Sequence, residues 1–168
     1  MGHRMVGTWC LGVVLTGIAP GAAPALTKEE IVGTWKLVSN VREDINTGKK
    51  ADNLGPNPIG HLIVTPDNRF MIVQVAQDRK ASSTLEGQAA LYKSMLAYSG
   101  TITLSPDPQG LKMVNKVDIS WNDAWTGTEQ VRYLSMDGPR LVIKTAPIKN
   151  PFHEGEVTVS TLVWERSK

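Results

Sequence analysis

Only one cysteine, Cys10, occurs among the 168 residues, so no internal disulfide staples this chain and its core alone has to hold it. Histidine is scarce too. There are three, and His61 and His153 have no partner at i, i+2 or i+4, which removes the spacing that a metal site needs. Charge is never concentrated: no basic run exceeds two residues, as at Lys49-Lys50, which supplies neither a nucleic-acid face nor a polybasic membrane patch. There is no G-x-S-x-G elbow, no glycine-rich phosphate loop and no nucleophilic cysteine. Long apolar runs are missing as well, since Val6 to Ala19 is too short to span a bilayer.

That run does have the flanks of a secretory signal. Arg4 supplies a positive start and Ala23-Pro24-Ala25 an A-x-A cleavage pattern. The expectation is a signal peptide over 1–25, cut after Ala25, and one periplasmic or secreted domain over 26–168 with no membrane span once processed. An uncleaved anchor is the alternative, against which stand Pro20 and Gly21, both breakers of a helix there. Cys10 and Arg4 leave with the signal. The 18 basic residues then lose one against 16 acidic, and the remainder is nearly neutral.

What the chain has in quantity is apolar alternation. From residue 31 the pattern has period two, broken by Gly, Pro, Asn and Asp clusters, and 41% of residues are apolar, which suits an all-β barrel with a sizeable core. Eight strands are predicted, at about 31 to 43, 59 to 65, 69 to 76, 97 to 104, 111 to 120, 129 to 136, 140 to 146 and 157 to 166. One short helix is predicted between the third and fourth of these, over Leu85 to Leu96, where Leu85, Ala89, Tyr92 and Leu96 share a face. Gly33-x-Trp35 opens the first strand and Trp164-Glu165-Arg166 ends the last, so these two strands are expected to pair and close the sheet. Tight turns at 66–68, 105–110 and 137–139 alternate with long connections at 44–58, 77–96, 121–128 and 147–156, which gives an up-and-down barrel with a plugged floor and an elaborate mouth.

Turn lengths assign the faces. A two-residue turn at Asp67-Asn68 would put Leu62, Val64, Met71, Val73 and Val75 inside and Phe70, Ile72 and Gln74 outside. An even-length turn at Asp137-Gly138 would put Leu134, Leu141 and Ile143 inside, and with them Gln130 and Arg132. Alternation sends Met113, Asn115, Val117 and Ile119 inward, and likewise Tyr98, Gly100, Ile102 and Leu104. A buried arginine needs an explanation. One is structural: Glu129, Asp123 or a loop carbonyl satisfies Arg132, or it stacks on Trp121 or Trp125. The other is functional: Tyr98, Asn115, Gln130 and Arg132 form a polar collar, flanked by Trp121 and Trp125, for the oxygenated end of an otherwise apolar ligand.

The segments Gly33-Thr34-Trp35, Pro58 to Asp67, Tyr98-Ser99-Gly100-Thr101 and Trp125 to Arg132 together resemble the lipocalin-like domain family, calycin-type barrels of bacterial and fungal proteins, over nearly the whole mature length. The resemblance implies an eight-stranded barrel with Trp35 packed on a terminal arginine, Arg166, and carries no settled activity. The family commonly has histidine where this chain has Asn115. Some such relatives accompany natural-product pathways, which admits a cofactor-free isomerase or cyclase beside a binder of a small hydrophobic molecule. In that rival, Arg132 and Tyr98 would polarise a carbonyl and Glu129 or Tyr133 would move a proton. No cofactor is expected, and a monomer or weak homodimer is. Export makes one direct prediction: N-terminal sequencing of the exported protein should begin at Leu26, whereas an intact Met1 on a membrane-bound form would establish the anchor instead.

Overall fold

The structure, a computed structural model, describes residues 1–2, 26–108, 110–149 and 155–168. The apolar run and cleavage site before Leu26, and His153, lie outside the described residues. The elements in chain order are α1 (Lys28–Ile31), β1 (Gly33–Asp44), β2 (Lys50–Asp52), β3 (Ile59–Val64), β4 (Arg69–Val75), α2 (Leu85–Lys93), β5 (Met95–Asp107), β6 (Gly110–Ser120), a 3-10 turn (Asp123–Trp125), β7 (Glu129–Asp137), β8 (Arg140–Thr145), β9 (Ile148–Lys149) and β10 (Val157–Arg166). The antiparallel order β1-β3-β4-β5-β6-β7-β8-β10 returns to β1. This is the closed eight-stranded barrel expected. The short strands β2 and β9 add to β1 and β10 beyond the eight. Because β2 was not anticipated, the helix follows the fourth strand in chain order rather than the third. It also ends earlier than expected: Ser94 caps it and Leu96 belongs to β5 as a buried strand residue. No residue of α2 is buried, so its predicted apolar face is a surface one.

The seam between β1 and β10 pairs Trp35 with Arg166 and runs to Asp44 opposite Thr158. Its lower end is a lock. The Arg166 guanidinium lies 4.4 Å from the centre of the Trp35 ring and donates to the carbonyls of Val32 (3.0 Å) and Glu30 (2.6 Å). The Trp35 indole N–H donates to Ile31 O at 2.9 Å. Thus α1, with Ile31 buried, is drawn across the barrel floor by the two residues that close the sheet. Gly33 explains the Gly-x-Trp spacing, because a Cβ there would stand 2.5 Å from Arg166 Nη1, and its φ of +136° suits glycine alone.

Above the floor, three irregularities decide which side chains enter. Between β3 and β4 the loop has three residues, Pro66-Asp67-Asn68, with Thr65 N–H bonded to Arg69 O and Asn68 at φ 66°. Val64 therefore faces Phe70. The odd count shifts the register by one residue, and a one-residue shift turns every side chain over. Phe70, Ile72 and Gln74 are inside, while Met71 is 51% exposed and Val73 points out, the reverse of the expected faces. The second irregularity is a bulge in β1 at Val38, between Leu37 and Ser39, after which Asn40 is buried. The third lies between β5 and β6, where Ser99 pairs with Ile119 but Gly100 with Val117. Asp118 is the extra residue. It accepts from Ser99 Oγ at 2.9 Å and from Arg69 at 2.6 Å, and Ile119, expected inside, is turned out at 68% exposure. Ser99, expected outside, is buried by the same bulge. Gly100 is required here, since a Cβ would meet Lys116 O at 2.0 Å. The β7–β8 hairpin, with Asp137 opposite Arg140, has the even turn foreseen, and Leu134, Leu141, Ile143 and Arg132 are all buried.

Two measurements follow from the lock and the bulge. Trp35→Ala should destabilise by roughly 3 to 5 kcal/mol, Arg166→Ala by less, and a double-mutant cycle in denaturant should show coupling; strict additivity would mean that the two side chains act separately. For Asp118, desolvation pushes the carboxyl up, but the Ser99 hydroxyl and then Arg69 outweigh it and hold it below the ordinary 3.8. A lowered folded value means the unfolded chain binds more protons, so this stabilisation is present above the unfolded value and is lost as pH falls through the folded one, below about pH 4. Asp118→Asn should flatten that acid limb in urea titrations between pH 2.5 and 6.

Candidate functional site

The end of the barrel away from Trp35 contains the polar residues that the strands turn inward. On one wall, Arg132 of β7 stands between Met113 of β6 and Thr145 of β8, and Asn115 between Ile102 and Gln130. Arg132 is only 4% exposed. Its guanidinium donates to its neighbour's carbonyl, Val131 O, at 2.9 Å and to Gln130 Oε1 at 2.5 Å. Among the described residues no carboxylate forms an ion pair with it, although burial of a charge is costly unless it is paired. Asn115 is 1% exposed and its Oδ1 has no hydrogen-bond partner.

The opposite wall comes from β1, β4 and β10. Asn40 Nδ2 donates to Gln74 Oε1 at 2.8 Å, and Asn53 Nδ2 donates to Asn40 Oδ1 at 2.8 Å and to Ser160 Oγ at 3.0 Å. Thr145 Oγ1 accepts from Ser160 N–H at 2.9 Å. Gln74 is buried to 1% exposure. This chain of amides ties the long β1–β3 connection to the barrel through Asn53, so the rim on that side is anchored from within.

Between the walls is a cavity with about 40 Å³ available to the centre of a water molecule, which is room for a few waters or a compact ligand. Ile72, Met113, Ile143 and Leu162 form its apolar part, and Tyr98, Trp125, Leu96 and Ile148 also line it. Trp125 is presented by the 3-10 turn, where Asn122 Oδ1 caps Ala124 N–H and Thr128 Oγ bonds Trp125 O. Its ring meets Tyr98 edge-on at 5.4 Å and Trp121 at 4.9 Å. Trp121 in turn stands 6.4 Å from Tyr92, whose hydroxyl donates to Trp121 O.

Of the six residues predicted to hold a ligand, Tyr98, Asn115, Trp125 and Arg132 line this one cavity. Gln130 sits behind Arg132 as its hydrogen-bond acceptor, and Trp121 sits behind Trp125. Sequence reasoning missed Asn40, Asn53, Gln74, Thr145, Thr158 and Ser160. Thr158 and Ser160 were accessible to it, because they alternate with Leu162 and Trp164 on one face of β10. The proton-moving candidates do not reach the cavity: Glu129 is exposed, and Tyr133 alternates with Arg132 and so points to the outside. No group of three or more His, Cys, Asp or Glu suited to a metal occurs among the described residues. Nor is any described helix long and apolar enough to cross a membrane.

The sequence profile of the lipocalin-like domain matches residues 32–167, from the residue before β1 to the residue after β10. No curated protein matches the chain.

Proposed function

The chain belongs to the lipocalin-like domain family, and from that premise we propose that it is an exported carrier or sensor whose barrel holds one small, mostly apolar molecule by its polar end. The observation that carries this reading is a cavity with an aliphatic part that is also lined by a buried cation, Arg132, and by Asn115, whose buried amide oxygen has no partner. Polar groups in such a place destabilise an empty fold by roughly 1 to 3 kcal/mol each, and more for a charge. A ligand that meets them recovers that energy, which is the usual economy of a small-molecule site. The protein acts as a monomer or weak homodimer, with a small molecule rather than a nucleic acid as its partner. The isomerase or cyclase reading keeps Arg132 and Tyr98 as polarising groups but has to bring its proton carrier from elsewhere, since neither Glu129 nor Tyr133 faces the cavity.

Native mass spectrometry of freshly purified protein should show a bound small molecule, and ligand entry should quench emission from Trp125. Arg132→Met should leave folded stability unchanged or raised, because it removes a desolvated cation, while binding of the co-purified molecule weakens by about 1.5 to 3 kcal/mol, the range for a hydrogen bond to a charged group. Unaltered binding in this variant, read by titration calorimetry, would exclude Arg132 as the anchor. Binding retained with turnover lost would establish the enzyme instead.

A further inference from the structure

Resting on that reading of the cavity, we propose that its ligand is a compact hydroxycarboxylate: the carboxylate is held by Arg132 and a hydroxyl of the same molecule donates to Asn115. The argument starts with the guanidinium. It carries five N–H donors in a planar fork, and the described structure gives it two acceptors, Val131 O and Gln130 Oε1, both neutral. Its charge is therefore left uncompensated among the described residues, in a place almost closed to solvent. An anion is what such a site attracts, and a carboxylate matches the fork with two parallel hydrogen bonds. A phosphate dianion would need a second cation, and among the described residues no other basic one lines the cavity.

Asn115 supplies the second half. Its Oδ1 is an acceptor with no partner, and an acceptor repels carboxylate oxygens, so it calls for a donor on the ligand. Asn115 faces Gln130 across the β6–β7 ladder, which puts Arg132 at the diagonal position, about 7–8 Å away between backbones. Two side chains of this length reach inward across that gap, so one small molecule can touch both. An ammonium group would meet Arg132 as a like charge, and an uncharged hydroxyl meets no such opposition. The remaining surface, Ile72, Met113, Ile143 and the Tyr98 and Trp125 rings, takes an apolar or aromatic body.

The test uses the processed full chain and four probes of nearly one shape: mandelate, phenylacetate, mandelamide and 2-phenylethanol, titrated at pH 7 by calorimetry and tryptophan emission. Mandelate should bind about tenfold more tightly than phenylacetate, the equivalent of about 1.4 kcal/mol for one hydrogen bond to a buried acceptor, and at least tenfold more tightly than neutral mandelamide. Asn115→Leu should bring mandelate down to the level of phenylacetate and leave phenylacetate unchanged. The wild-type probe series needs no variant, so a variant that fails to fold does not remove the test. Mandelamide or 2-phenylethanol binding as tightly as mandelate would overturn the carboxylate while leaving a small-molecule carrier intact. Equal affinity for mandelate and phenylacetate in the unaltered protein would overturn the role of Asn115. Failure of all four to bind would overturn the inference alone, since the native mass spectrum decides the carrier reading separately.

Discussion

A sheet has two edges and a barrel has none, and in this molecule the difference depends on one arginine lying on one tryptophan. Arg166 covers the Trp35 ring and reaches the carbonyls of Glu30 and Val32, so the last strand of the chain is fixed to the first and to the helical turn before it. With a single cysteine in the sequence no internal disulfide is available, so this contact and the β1–β10 ladder are what convert an open meander into a closed wall. Closure then determines everything inside. Only in a closed barrel are the inward faces of β4 and β7 opposite each other, and only then do Gln74 and Arg132 line the same space.

How far the sequence could be read depended on parity. Strand count, the pairing of first with last, and the even turn before Arg140 were legible, because each rests on local pattern: alternation, Gly-x-Trp, Gly-Pro. The inward placement of Arg132 and Asn115 followed from them, and both are buried. The rest was lost at places where one extra residue resets the alternation. An odd turn at 66–68 inverted the faces of β4, and with them Gln74; a bulge at Val38 brought in Asn40; a bulge at Asp118 sent out Ile119. These insertions are stabilised by partners far along the chain, such as Arg69 and Ser99 for Asp118, so local pattern does not announce them. Asn40 and Gln74, two of the polar residues that line the cavity, were hidden for that reason.

The two polar walls differ in kind. On the β1–β4–β10 side, Asn40, Asn53, Gln74 and Ser160 answer one another in a continuous hydrogen-bond chain, and that side is architecture. On the β6–β7 side the donors and acceptors are incompletely answered. Where a fold leaves its polar groups unmatched in a dry interior, stability has been given up at a place where something else is bound. Family membership gives the barrel; the asymmetry between its walls marks the β6–β7 side as the one whose polar groups are left unmatched.

Edge-to-face contacts run from Phe70 through Tyr98 and Trp125 to Trp121, and a tilted contact at 36° continues the row to Tyr92 on α2. Rings packed at right angles cannot rotate independently, because each edge is seated on the next ring's face. The row also crosses from the barrel interior to the outside, ending on a helix with no buried residue. Its optical transitions are coupled by the same geometry that holds it. The molecule thus carries its own chromophore array, and the handedness of its near-ultraviolet absorption is a readout, at the surface, of how the innermost ring is seated.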